Sequence, residues 1–523
     1  MRLRHIYIQQ LTLLAALATA LNMDAQQAPR LVVNIIVDQL RTDYMQAFSP
    51  LYGENGFKKL LRQGQVYQNG YYPFAPVDRA SATASISSGT TPFFNGIVGK
   101  RWLNKETLRP LFCVDDPKFQ GIFTNDRSSA ANIKVSTMTD ELKMASVGKS
   151  VVYSIAPERD AAILLAGHSA DGAIWIDDET GYWCSSSYYK LPITNWLSEY
   201  NRTNAVLTDK NCVWQPYSKQ SGSVSYFMGT SIQKPFSHKF TGENRYRTFK
   251  TSGLVNEKIT NLATKCITTA SMGIDPATDV LYVTYYAGKF DHKPLIECQM
   301  ELQDTYFRLD IEIERLISNI QQKLGSGNVL FVLTGTGYIE EENNDYSSYN
   351  VPTGTFYINR ATSLLNMYFG ALWGQDKYVD TSFGQQIYLN HKLLEKKRIS
   401  LGDATQRAQE FLMQMSGVRN VYTAQQLQQS SNDNFLKTRN LFNTENCGDI
   451  LIEIAPGWRQ VNEDSMDSSV YNASCVQFPI IFFGANIKAE TITIPTSAER
   501  IAPTISRAIR IRAPNACSSE PLF

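Results

Sequence analysis

The side chains of this chain that could do chemistry are carboxylates and a few histidines. Asp38, Asp78, Asp291, His292 and the run Glu340 to Glu342 would offer oxygen or nitrogen ligands to a divalent ion if their loops converged, the donor set of a metal-assisted hydrolase. Nothing in their spacing demands this, and three consecutive glutamates usually form a solvated face. The five histidines are His5, His168, His238, His292 and His391. Cys113, Cys184, Cys212, Cys266, Cys298, Cys447, Cys475 and Cys517 form no CxxC pair, and their scatter is wrong for a zinc ribbon. An even count of eight predicts up to four disulfides in an oxidising compartment.

That compartment is suggested by the start of the chain. Residues 1–25 run from a basic end through the apolar stretch Leu11 to Leu21 to a short polar end at Ala25, the pattern of a secretory signal peptide. The apolar stretch is too short for a spanning helix, so the mature chain is expected in the periplasm without a transmembrane anchor. With 50 Lys+Arg against 49 Asp+Glu and no basic block, no nucleic-acid partner is expected.

The elements that must position the chemistry read as α/β. Leu31 to Val37, Val151 to Ile155, Val280 to Tyr286, Asn328 to Leu333 and Pro479 to Phe483 are apolar, β-rich runs. Gly56 to Gln63 reads as a helix. Leu302, Tyr306, Leu309, Ile313, Leu316 and Ile320 make one stripe of a long helix over Leu295 to Leu324. Strand, helix and strand in this order predict a parallel sheet with functional groups at its carboxyl ends. Residues of about 185–255 and 338–475 break the alternation and read as insertions into a single domain spanning 26–523.

Asp38 opens DQLRTDY, followed by GFKKLLRQGQVYQNGYYPFAP and ASATASISSGTTPFFNGIVGKRW; LLAGHSADGAIWID, LQDTYFRLD, GNVLFVLTGTG and IAPTISRAIRIRAPNACSSEPL come later. In this order the segments resemble the alkaline phosphatase superfamily, in the branch of exported phosphomonoesterases and nucleotide pyrophosphatase/phosphodiesterases. The resemblance implies a three-layer sandwich with a mostly parallel central sheet, helices on both faces and inserted cap segments. It also implies two zinc ions held by Asp and His at strand ends, and a Thr or Ser nucleophile at a helix N-terminus.

Position by position, most of that chemistry is missing. Asp38 stands at the first metal-binding aspartate. Arg79 occupies the nucleophile position, and a guanidinium stays protonated and offers no lone pair; a slipped register would bring Ser81 or Thr83 forward. Lys100 replaces a phosphoryl-binding asparagine. Glu158 and Asp160 fall where the family has a phosphate-binding Lys and Arg, and would repel a dianion; a one-residue slip would restore Arg159 but leave Pro157 at the lysine. His292 matches a ligand histidine, but its partner aspartate is Gly288 or Lys289. Thr336 and Gly337 replace an Asp and a His, and Gln477 replaces the last ligand histidine. Asp38 and His292 fall short of the three protein ligands of an open catalytic zinc, so no metal is expected; His168 belongs to a structural turn.

A buried Asp38 without metal needs a counter-charge. Arg79 is expected to pair with it, and Lys100 with Glu158 or Asp160. The degenerate pocket is thus Asp38, Arg79, Lys100, Glu158, Asp160, His292, Thr336 and Gln477. The reading is a catalytically silent relative with a binding, assembly or regulatory role and a periplasmic or envelope protein partner. The alternative is an active phosphoesterase or other hydrolase with a rebuilt zinc site.

Overall fold

The structure is a computed structural model that describes residues 27–189, 193–207, 212–217, 235–338, 351–429, 435–465, 467–470 and 476–523. Its centre is a sheet built on β1 (Leu31–Asp38), β2 (Gln65–Tyr71), β3 (Val152–Ile155), β4 (Gly172–Ile176), β5 (Trp183–Ser186), β6 (Asp279–Tyr286), β7 (Val329–Gly335) and β8 (Phe478–Gly484). In space these run β2-β8-β7-β1-β6-β3-β4-β5, with short strands at both edges. The middle of the sheet, β7-β1-β6-β3-β4, is parallel throughout; β8 and β5 pair antiparallel to their neighbours.

β1 is buried on both faces, as its uninterrupted apolar run requires. Leu31, Val33, Ile35 and Val37 enter one core and Val32 and Ile36 the other. The layers over these faces include α1 (Arg79–Ser88), α2 (Arg159–Ala166), α3 (Arg245–Lys250), α4 (Leu254–Thr269) and α5 (Gln299–Leu324). The chain then adds α6 (Ile358–Trp373), α7 (Leu401–Leu412) and α8 (Ile501–Ala508). The stripe expected on the long helix is buried from Leu302 to Ile320. The helix begins at Gln299, later than expected, after a 3₁₀ turn at Leu295–Glu297.

α1 reads RASATASISS, and every residue after Arg79 is buried. Such small side chains let the helix lie close to α2, and the Ser87 hydroxyl donates to the Leu164 carbonyl at 2.8 Å. The helix stops at Gly89, whose φ of +65° suits glycine. A side chain there would also meet Cys517 Sγ at 2.9 Å.

Residues 354–461 carry a further apolar cluster, in which α6 and α7 pack on a four-stranded antiparallel sheet (Val379–Phe383, Gln386–Leu389, Ile450–Ile454, Val418–Thr423). The segment around Trp214 and Tyr217 is fastened to α5 by one carboxylate. Asp304, fully buried, accepts from Trp214 Nε1 (2.6 Å), the Tyr217 N–H (2.8 Å) and Arg308 Nε (2.6 Å).

The expected disulfides are not formed among Cys113, Cys184, Cys266, Cys447 and Cys517. Cys266 lies in the core on one face of the sheet, Cys113 and Cys184 in that on the other, and Cys447 in a separate cluster beside Tyr422. Each fills its site as a small apolar side chain, and Cys184 Sγ donates to the Trp175 carbonyl. Cys475 lies outside the described residues.

Asp304→Ala leaves the buried Trp214 Nε1–H and the half-buried Tyr217 N–H and Arg308 Nε–H without their acceptor, an expected loss of about 1–3 kcal/mol for the buried donor and less for the others. Limited proteolysis should then cut at residues 212–217 faster than in the parent, with the sheet core resisting longest.

Candidate functional site

Adjacent strand ends of the parallel sheet deliver the polar groups. β1 ends at Asp38 and β7 leads to Thr336 and Tyr338, while the loop after β3 carries Glu158 and opens α2 with Arg159 and Asp160. β6 ends at Tyr286, level with Asp38.

Arg79 enters from the opposite side as the first residue of α1. Asp78 caps that helix, accepting from the Ser81 N–H at 2.8 Å while Ser81 Oγ accepts from the Asp78 N–H at 3.0 Å. Its second oxygen accepts from the Lys100 N–H at 2.6 Å. Asp78 is therefore spent on backbone donors rather than aimed at a ligand. The same cap fixes Ser81 one turn in, fully buried, and Thr83 donates to the Arg79 carbonyl. Neither hydroxyl stands where Arg79 stands.

The guanidinium uses all its nitrogens on carboxylates. Nε and Nη2 donate to the two oxygens of Asp160 at 3.1 and 3.2 Å, a bidentate fork. Nη1 donates to Asp38 Oδ2 at 3.2 Å, and Nη2 lies 3.6 Å from Glu158 Oε2. The side chains of Asp38, Asp160 and Arg79 are 4%, 5% and 13% exposed. Thr336 donates to Asp38 Oδ1 at 3.0 Å and accepts from the Gln39 N–H at 2.9 Å; Tyr338 donates to Asp38 Oδ2 at 3.3 Å.

A second buried cation joins from α3. Lys250 Nζ lies 3.0 Å from Glu158 Oε1 and 2.5 Å from Asp178 Oδ1. Burial pushes the Asp38 carboxyl up, against the pull of Arg79 and Thr336. For Asp160 burial, the largest single influence, is outweighed by the charge of Arg79 together with that of Lys100 and the Arg79 hydrogen bonds, which hold the carboxyl below its usual range. Glu158 is likewise lowered, burial being outweighed by Lys250 and Arg79.

A cavity of about 30 Å³ is bounded by Asp38, Arg79, Glu158, Lys250, Thr284 and His292, and Glu158, Asp160 and Lys250 also line an adjoining open groove of about 210 Å³ with Lys100, Arg159 and Arg247. The cavity beside Asp38 has room for an ordered water and none for a phosphoryl group.

The structure thus brings together Asp38, Arg79, Glu158, Asp160 and Thr336, with His292 on the cavity wall. Two expected members stand apart. Lys100 lines the adjoining open groove together with Glu158 and Asp160, and its charge helps lower both carboxyls, but it forms no ion pair with either within 4 Å; its backbone is held by Asp78, and Lys250 takes the Glu158 oxygen instead. Gln477 is exposed at the entry to β8 and contributes its backbone carbonyl to the Thr42 N–H. Arg159 turns away to Asp115 and Asp126, at 2.9 and 3.2 Å. His168 forms a structural turn: Nδ1 meets Asp140 at 2.7 Å and Nε2 meets the Ile133 carbonyl at 3.0 Å. Lys250, Asp178 and Tyr338 were not foreseen. Tyr338 lies two residues beyond Thr336, and the left-handed turn at Gly337 (φ +64°) between them is a conformation no spacing rule announces; nothing in the sequence around Lys250 points to Glu158.

These residues do not fit the zinc pair that the family resemblance implies. Both Asp38 oxygens are engaged by Thr336, Tyr338 and Arg79. Among the described residues no three His, Cys, Asp or Glu side chains are grouped to hold a metal. The Asp291 carboxylate accepts from the Thr248 hydroxyl while its backbone N–H donates to Thr251, and Glu340 to Glu342 lie outside the described residues.

The fold, and the strand ends at which its polar groups gather, are those of a phosphoester-hydrolase scaffold. The description "Type I phosphodiesterase / nucleotide pyrophosphatase" matches residues 32–477, and the chain belongs to this family. It is 27% identical to the alkaline phosphatase PafA of Elizabethkingia meningoseptica, over 95% of both chains. It is 26% identical to the alkaline phosphatase PhoV of Synechococcus elongatus, over 93% of this chain and 91% of that one. The crystal structure of wild-type PafA superposes with a TM-score of 0.80 at 26% identity, covering 95% of this chain and 99% of that one.

Arg79→Ala leaves Asp38 and Asp160 buried without their counter-charge, a loss of about 3–5 kcal/mol near neutral pH. With Arg79 present, the depressed Asp160 stabilises the fold above about pH 4, and that contribution is lost as pH falls through its folded pKa. Without Arg79, burial is opposed only by lesser partners, Thr336 at Asp38 and Lys100 at Asp160, so both carboxyls move up and the variant is penalised more as pH rises. Thermal unfolding should show a gap between parent and variant that is widest near pH 7 and narrows toward pH 4.

Proposed function

We propose that this chain is a pseudophosphatase, a member of the phosphodiesterase/nucleotide pyrophosphatase family that retains the scaffold and has exchanged the hydrolytic centre for an internal ion-pair network. The supporting observation is Arg79. It occupies the start of the helix that faces the sheet's carboxyl edge, and it spends its charge on Asp38, Asp160 and Glu158. A guanidinium held between carboxylates can neither attack phosphorus nor tolerate a divalent ion beside it. The cavity beside Asp38 and Arg79 leaves no room for a phosphoryl group, and Glu158 and Asp160 would repel one there.

On this reading the protein is exported by residues 1–25 and works in the periplasm by binding, assembly or regulation with a protein partner of the envelope. No described helix is long and apolar enough to cross a membrane. The similarity to alkaline phosphatases then records ancestry of the scaffold rather than a shared reaction.

The test is metal content by mass spectrometry on protein purified without chelator, with phosphomonoester and phosphodiester hydrolysis assayed on the same sample plus zinc. The expected result is no stoichiometric metal and no turnover. Stoichiometric zinc with turnover abolished by Asp38→Ala would overturn the reading and establish a rebuilt hydrolytic site.

A further inference from the structure

Helix α6 has two apolar faces, and only one of them is used by the fold. Ile358, Ala361, Leu365 and Phe369 are buried against the small antiparallel sheet. On the other side Leu364, Met367 and Leu372 are 49%, 68% and 42% exposed. Tyr368 lies between them, stacked on Phe411 of α7 at 4.7 Å and 12°, and Met413 at the end of α7 is 45% exposed. Exposed apolar groups this concentrated mark an interaction surface.

The charges around the helix select the occupant. From Ala361 to Trp373 the helix carries no charged residue. At its N-terminus Glu463 is held by Asn359 and Arg360, and Asp464 follows; with Arg360 this end is net negative. At its C-terminus Lys397 donates to the Trp373 carbonyl and pairs with Asp376 at 3.1 Å. Lys396 and Arg398 flank it, so that with Asp376 and Glu395 this end is net positive. Two copies of the helix laid antiparallel would set each negative end beside a positive one and oppose their dipoles. The apolar pattern is self-complementary under the same operation. A twofold axis near Met367 and Tyr368 brings Leu364 of one copy to Leu372 of the other, as an isologous interface requires. An anionic membrane would be repelled by the Glu463 end.

We propose that the exposed face of α6, extended by Phe411 and Met413, is a homodimer interface occupied by a second copy of this chain in antiparallel register. A helix of sixteen residues is about 24 Å long, and a stable dimer needs about 800 Å² from each partner.

Light scattering coupled to size exclusion, run on the mature chain through the micromolar range, should give twice the mass of one chain. Met367→Glu and Met367→Lys would each place like charges across the axis and are expected to run as monomers. Mixed in equal amounts they should recover the double mass, because the axis then joins Glu to Lys. Both variants alter an exposed side chain, so their thermal unfolding should match the parent; the recovery on mixing also separates loss of pairing from misfolding. A monomeric parent, a dimer that survives both substitutions, or no recovery on mixing would overturn the proposal. Binding of the monomeric parent to anionic vesicles, lost in Met367→Glu, would replace it with a membrane-docking face.

Discussion

A carboxylate buried at the carboxyl edge of a parallel sheet must be compensated, because its desolvation costs several kcal/mol and no strand neighbour can donate enough to offset it. In this molecule the compensation for Asp38 comes from Arg79, supported by Thr336 and Tyr338. That pairing determines much else. It requires α1 to approach the sheet closely, which its run of alanines and serines permits, and it requires Asp160 to complete the guanidinium's fork.

The network also reaches beyond the sheet. Glu158, shared between Arg79 and Lys250, connects the central layer to α3, and Asp178 beside β4 takes the other side of the lysine. Residues brought from distant parts of the chain are therefore held by one set of charges. Removal of a single cation would leave more than one carboxylate short, so the cluster acts as a unit rather than as a sum of pairs.

The central strands were legible because each is an apolar run bounded by polar or turn residues, and the observed limits differ from those read in the sequence by one or two positions at most strand ends. Asp38 was legible at the end of an apolar strand run, whereas Arg79, Glu158 and Asp160 were picked out by the family resemblance, which marks the positions where a nucleophile and phosphate ligands would stand. Lys250 was not, since a lysine in an insertion carries no local mark of the carboxylate it will meet. Lys100 was misjudged because chain position puts its backbone near the site, while the direction of a long side chain depends on which acceptors nearer groups have already taken. The thiols show the same limit: an even cysteine count says nothing of which packing cluster each enters.

That partition of the thiols bears on how long the molecule lasts. Cys266 and Cys447 lie in clusters apart from each other and from the core that holds Cys113 and Cys184, so thiols of different clusters can react together only after the chain opens. In an oxidising solution every complete unfolding would give them a chance to join in combinations the native fold cannot accommodate. Return to the native state would then compete with covalent trapping. Persistence would be governed by the height of the unfolding barrier, a rate, rather than by the equilibrium free energy of the fold.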